Sequence, residues 1–150
     1  MNKKIIVTGG SGMVGHGFED FNNIIFLTSK HCDLRNPLEV EFFFKKLVKD
    51  YDIEGIIHLA AKVGGVQGNT DYIADFYYDN IMMNTNVLHI SHKLGIPKVV
   101  SLLSTCVYPY ESSFPLIEEN IHFGRPHNSN FGYAYAKRML DVQSRAYRQQ

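Results

Sequence analysis

The chain has 150 residues, 45% of them hydrophobic and 20% charged, with 15 Lys+Arg against 15 Asp+Glu. That apolar content excludes intrinsic disorder, and a formal net charge of zero removes the usual motive for binding nucleic acid or an anionic membrane. Cys32 and Cys106 are too few for a disulfide scaffold, no apolar run reaches the ~20 residues of a membrane span, and the N-terminus shows neither a signal nor a transit peptide, so a soluble cytoplasmic protein is expected.

Strand-like and helix-like periods alternate along the chain. Ile5-Ile6-Val7 reads as a first buried strand, followed by a short helix from Met13 to about Phe21. Ile24-Ile25-Phe26-Leu27 is the second strand. Asn36 then offers an N-cap, Pro37 a first helical residue and Glu39 a capping-box partner, for a helix running to about Asp50. Gly55 to Leu59 is a third strand, and a long helix spans about Tyr72 to Leu94, with Gly95 and Pro97 as stop signals. Val99 to Leu103 is a fourth strand. A loop covers Tyr108 to Asn128, and a last helix begins near Ser129 or Asn130 and continues to Gln150.

Apolar strands alternating with helices imply α/β architecture, a doubly wound parallel sheet covered on both faces. Such a nucleotide fold usually has two halves and about six strands. The chain supplies the first half and part of the second. It is therefore expected to be an incomplete N-terminal dinucleotide-binding domain, with a C-terminal substrate domain outside it.

Gly9, Gly12 and Gly15 fit G-x-x-G-x-x-G, and Gly10, Gly12 and Gly15 fit G-x-G-x-x-G. Such a loop needs one glycine for a tight turn, one for approach to a pyrophosphate and one for close helix packing. The amides of the helix start, at Met13 and Val14, complete the phosphate site. An NAD site places a carboxylate at the end of the second strand, but Leu27-Thr28-Ser29-Lys30 carries two hydroxyls and a cation there. That favours a 2′-phosphate and hence NADP(H), with Lys30 as its partner. Asp33 either covers the adenine or is a turn residue.

Tyr133 and Lys137 stand at i and i+4 on the last helix, on one face. A tyrosine holds its proton to about pH 10, and a nearby ammonium favours the phenolate. The pair could therefore exchange a proton with a substrate oxygen near neutrality. Ser104 sits at the carboxyl end of the fourth strand, where ligand sites of such sheets lie, and could bond the same oxygen. Cys106, on its own, reads as a small core residue. His58 reads as a core-edge residue, and His122 and His127 as solvated or substrate-edge residues. No metal site is expected.

The glycine loop, Ser104 and the Tyr133/Lys137 pair, in this order, resemble the extended short-chain dehydrogenase/reductase family. His58-Leu59-Ala60-Ala61-Lys62-Val63-Gly64-Gly65, Ser104-Thr105-Cys106-Val107-Tyr108-Pro109 and the stretch from Pro126 to Met139 narrow the resemblance. They are similar to its branch that converts GDP-4-keto-6-deoxy-D-mannose to GDP-L-fucose.

The resemblance implies that Gly9, Gly12 and Gly15 hold the pyrophosphate, and that Ala60, Ala61 and Val63 line the cofactor cleft. Tyr133 would protonate the C4 oxygen as NADPH reduces C4. Lys137 would bond the nicotinamide ribose and lower the tyrosine pKa. Ser104 would hold the keto oxygen, and Cys106 would carry protons at C3 and C5. The family's partner acid, a histidine, falls downstream of this chain. The family also commonly dimerises through a four-helix interface. The stripe Tyr135, Met139, Val142 and Ala146 and the apolar set on the long helix (Ile73, Phe76, Met83, Val87, Ile90 and Leu94, with Tyr77, Ile81 and Leu88 off that line) could build such a homodimer. Two other readings stay open: another nucleotide-sugar epimerase, dehydratase or reductase of the same family, and a non-catalytic NADP-binding module.

Overall fold

The computed structural model describes residues 2–150. The chain divides into two compact units, Met1–Ala61 with Thr85–Leu102, and Lys62–Asn84 with Leu103–Gln150. The elements in chain order are β1 (Lys3–Thr8), β2 (Ile24–Leu27), α1 (Pro37–Asp50), β3 (Asp52–His58), α2 (Val66–Asp71), α3 (Ile73–Lys93), β4 (Val99–Ser101) and α4 (Phe131–Gln149).

The first unit holds a four-stranded, all-parallel sheet in the order β2-β1-β3-β4. The order reverses direction at β1, so the ligand crevice of such a sheet falls at the carboxyl ends of β1 and β3. Ile6, Val7, Leu27, Ile53 and Ile56 of the sheet are buried with Val40, Phe44 and Leu47 of α1 and Val87, Leu88 and Ile90 of α3. Each buried aliphatic or aromatic side chain contributes about 1.5–3 kcal/mol.

Helix α1 occupies the expected range. The Asn36 side chain accepts from the Leu38 and Glu39 amides. Glu39 turns back, accepting from the Asn36 side-chain amide at 3.0 Å and from the Asp33 backbone amide at 2.9 Å. Helix α3 ends at Gly95, whose φ of +67° suits glycine. There Ile96 N–H returns to the Ser91 carbonyl. β3 begins three residues earlier than expected, because Asp52 and Glu54 keep their side chains exposed while the backbone stays paired.

One expectation fails, and one element stands where none was expected. The helix from Met13 to Phe21 is a single 3-10 turn, Gly15–Phe18. Gly15 and Gly17 are poor helix formers, and only eight residues separate Gly15 from Ile24, too few for a stable α-helix. The helix from Tyr72 is preceded by a separate one, α2, and the break falls at Tyr72. Among the described residues no helix is long and apolar enough to cross a membrane.

Candidate active site

In the first unit the glycines divide their tasks. Gly9 has φ +71°, and a Cβ there would stand 2.7 Å from the Ala60 amide nitrogen. It therefore closes the turn after β1 directly against the residue following β3. Gly15 packs on Gly10, where a Cβ would meet the Gly10 carbonyl oxygen at 2.5 Å. Gly12 has only the Gly9 oxygen nearby, at 3.2 Å from such a Cβ. Folding alone asks less of Gly12, and Ser11, Gly12, Met13 and Val14 are all exposed. An open, backbone-lined turn at the switch point fits a dinucleotide pyrophosphate. The expected helix start does not form there, so the loop amides rather than a long helix dipole would carry the phosphates.

Lys30 stands exposed beyond the end of β2. Asp33 is a turn residue: its carboxylate takes Arg35 Nε at 2.9 Å and Nη2 at 2.8 Å, and the guanidinium holds it below the usual carboxylate range. Arg35, which sequence reasoning passed over, brings a second cation to the same turn. Thr8 Oγ1 lies 2.7 Å from His58 Nδ1, both fully buried, and also accepts from the Ala60 amide. His58 is thus the core-edge residue expected, and its bond with Thr8 ties the ends of β1 and β3 together.

The second unit gathers the chemistry. Ser104 lies three residues past β4, not on its end, and its Oγ accepts from the Cys106 amide at 3.3 Å as the cap of a 3-10 turn, Thr105–Val107. The Ser104 hydroxyl also hydrogen-bonds Tyr133, and Cys106 is close enough for its charge to act on the phenol. Ser104, Cys106 and Tyr133 line one cavity of about 370 Å³ together with Val63, Gly64 and Asn130. That volume suits a small ligand.

Burial holds the Tyr133 pKa above its ordinary value, and the Cys106 charge adds to this, while the Ser104 hydrogen bond opposes it. Burial alone brings Lys137, 2% exposed, down to about 8. The expected lowering of Tyr133 by Lys137 is therefore not found. Removing a phenol from water penalises the phenolate more than Ser104 can offset. Tyr133 is a protonated phenol at neutral pH, the form that donates to a carbonyl oxygen.

Several residues that no motif signalled build this unit. Asn80, fully buried, accepts from the Lys62 amide at 3.0 Å and donates to the Lys62 carbonyl at 2.9 Å. Asn69 donates to the Gly64 and Gly65 carbonyls, at 2.9 and 3.1 Å. Arg138, 3% exposed, donates to the Val107 carbonyl at 2.5 Å and the Gly124 carbonyl at 2.7 Å, which anchors the turn that carries Cys106. His122 pairs with Asp141 at 2.8 Å, and His127 caps the turn at Ser129. A larger cavity of about 650 Å³ lies beside Glu118, Glu119 and Asp141. Those carboxylates disfavour an anionic ligand, and the cavity lacks Tyr133. No group of three or more metal-ligating side chains occurs among the described residues.

Residues 5–150 match the NAD dependent epimerase/dehydratase family. The chain belongs to that family. Among curated relatives, GDP-L-fucose synthase of Dictyostelium discoideum is 42% identical over 99% of this chain and 48% of its own length. A GDP-L-fucose synthetase of Naegleria fowleri, solved bound to NADP, superposes with a TM-score of 0.85 at 39% identity, over 99% of this chain and 44% of that one. A GDP-D-glycero-L-gluco-heptose synthase of Campylobacter jejuni, solved in the presence of NADPH, gives 0.88 at 29% identity, over 99% and 44%. The chain spans about half the length of the curated relatives it matches.

Proposed function

We propose that this chain is the NADP(H)-binding part of a two-step enzyme. It would epimerise GDP-4-keto-6-deoxy-D-mannose at C3 and C5 and reduce C4, giving GDP-L-fucose. The observation that carries this reading is the convergence of Ser104, Cys106 and Tyr133 on one cavity, with Lys137 one helical turn beyond. The names of the relatives, at 42% identity for the amoebal synthase, support the sugar assignment.

Bound NADPH supplies the hydride for C4. Ser104 and Tyr133 hold the C4 oxygen, Ser104 by its hydroxyl and Tyr133 by its phenol. With that oxygen held, the C–H bonds at C3 and C5 are acidified, because their electrons pass into an enolate. Cys106 takes the carbon-bound proton on one face, and the family's partner acid, a histidine downstream of this chain, gives a proton to the opposite face, which inverts the centre. In the reduction Tyr133 gives its phenolic proton to the oxygen, leaving a phenolate whose charge Lys137 offsets. Gly9, Gly12, Met13, Val14 and Gly15 would hold the pyrophosphate, and Lys30 the 2′-phosphate. Ala60, Ala61 and Val63 would line the cleft. The substrate domain belongs to the rest of the protein.

The partly exposed stripe of Tyr135 and Val142 on α4 supports a homodimer. A GDP-heptose substrate is the second reading, supported by the Campylobacter neighbour. Incubating the full-length protein with NADPH and either GDP-4-keto-6-deoxy-mannose or a GDP-4-keto-heptose, then identifying the product by NMR, tests both. GDP-L-fucose from the first substrate is the expected result, and turnover of the heptose alone would overturn it.

A further inference from the structure

Asn130 stands directly before α4, at φ −144° and ψ 21°, and its side chain makes no cap bond to the helix. Asparagine in that place ordinarily turns its oxygen onto an amide of the first turn. Here Nδ2 instead donates to Cys106 Sγ at 3.1 Å, across 24 residues of sequence. Its Oδ1 is buried without a partner. A buried acceptor left unpaired and a local cap left unmade, both at one residue beside a cavity, call for an explanation other than folding. Asn130 and Cys106 line the same 370 Å³ cavity as Ser104 and Tyr133.

We infer that Asn130 is a positioning residue for Cys106: its amide N–H fixes the sulfur at the cavity wall and directs the thiol proton toward the ligand. The inference rests on the proton-carrying role proposed for Cys106. The bond occupies one sulfur lone pair. It persists whether the sulfur carries a proton or a charge, so the sulfur need not move as it takes the carbon-bound proton. The S–H, when present, has to point away from the donor that already faces the sulfur. No atom of Asn130 is consumed: the proton leaves the sugar carbon for the Cys106 sulfur, and the partner acid on the opposite face supplies the one that replaces it.

The test uses the full-length protein with Asn130→Asp, Asn130→Ser and Cys106→Ser, and the doubles of the first two with the third. Asn130→Asp keeps the shape but has no N–H to donate, and Asn130→Ser cannot reach the sulfur. Three readouts are taken. They are iodoacetamide alkylation of the Cys106 peptide by mass spectrometry, solvent deuterium entering C3 and C5 of the keto sugar, and NADPH affinity. Both variants should slow deuterium entry at least tenfold, alter the alkylation rate at least threefold, and leave NADPH affinity within twofold. In the Cys106→Ser background neither should cost anything further, since coupling through a contact is non-additive. Unchanged alkylation and exchange, or an equal loss without the thiol, would overturn the inference. A wild-type protein without exchange would sink the sugar reading instead, while the alkylation arm still decides the Asn130 contact.

Discussion

Replacing Lys137 by methionine should stabilise the protein at neutral pH and remove a defined part of its pH dependence. Methionine keeps the unbranched stem and omits the ammonium. Lys137 is 2% exposed, and burial lowers its pKa from 10.5 to about 8. Between those two values the unfolded chain holds a proton on this side chain that the folded chain has released. Stability therefore rises with pH across that window, and the stabilisation is absent below about pH 8. At about 1.4 kcal/mol per pH unit the full effect is on the order of 3 kcal/mol. Cys32 acts in the opposite direction. Burial raises its thiol to about 11, so the folded chain keeps a proton that the unfolded chain loses near 9. Comparing Lys137→Met with wild type cancels that contribution. Urea unfolding of the cofactor-free full-length protein at pH 7, 8.5 and 10 is the assay. The variant should be the more stable at pH 7, by up to ~3 kcal/mol, with the gap closing by pH 10. A gap constant with pH, or a variant less stable throughout, would show that burial of the ammonium is not what perturbs Lys137.

Lys30→Ala should weaken NADPH binding at least tenfold and leave NADH nearly unchanged, read by fluorescence titration; equal losses would remove Lys30 from the 2′-phosphate. Gly132→Ala places a Cβ 2.6 Å from the Ile73 carbonyl oxygen, so urea unfolding should show a loss of about 1–3 kcal/mol. Cys106→Ser should cut deuterium exchange at C3 and C5 by roughly 10²–10⁴-fold while sparing NADPH binding. Tyr133→Phe should keep much of the exchange, since Ser104 still holds the C4 oxygen, and lose NADPH oxidation, as followed by NMR beside the NADPH absorbance band.

Much of this could be read from the residues themselves. Helix α1 was legible because Asn36, Pro37 and Glu39 carry its start signal within four positions, and the structure uses all three. Ser104 and Tyr133 were legible because both are reactive types in recognisable settings, whereas Cys106 read on its own as a small core residue and only the family resemblance singled it out. What was hidden acts at long range. Gly64-Gly65-Val66-Gln67-Gly68 reads as loop, yet Asn69 ties its own amide to the Gly64 and Gly65 carbonyls and a helix forms over them. Arg138, beside Lys137, carries no signal of its own in the sequence, yet it is buried and donates to the Val107 and Gly124 carbonyls. Asn130 marks only the approximate start of the last helix in the sequence, and the folded chain brings Cys106 to it. The direction of the Tyr133 shift was misjudged because spacing on a helix reports neighbours and not burial.

Asn80 has a kinetic consequence. Lys62 lies four residues past β3, where no strand remains to pair its peptide groups, and one buried side chain satisfies both its N–H and its C=O. The Lys62 amide can then exchange with solvent only when the amide of Asn80 lets go, which requires α3 to loosen around a fully buried residue. In a hydrogen-exchange map, Lys62 would stand as a slow amide although it lies outside every strand and helix. Segment Val63–Val66 is thereby moored at its upstream end. Downstream, the Asn69 side chain holds the Gly64 and Gly65 carbonyls, so the glycine pair is tied at both ends where it lines the cavity wall.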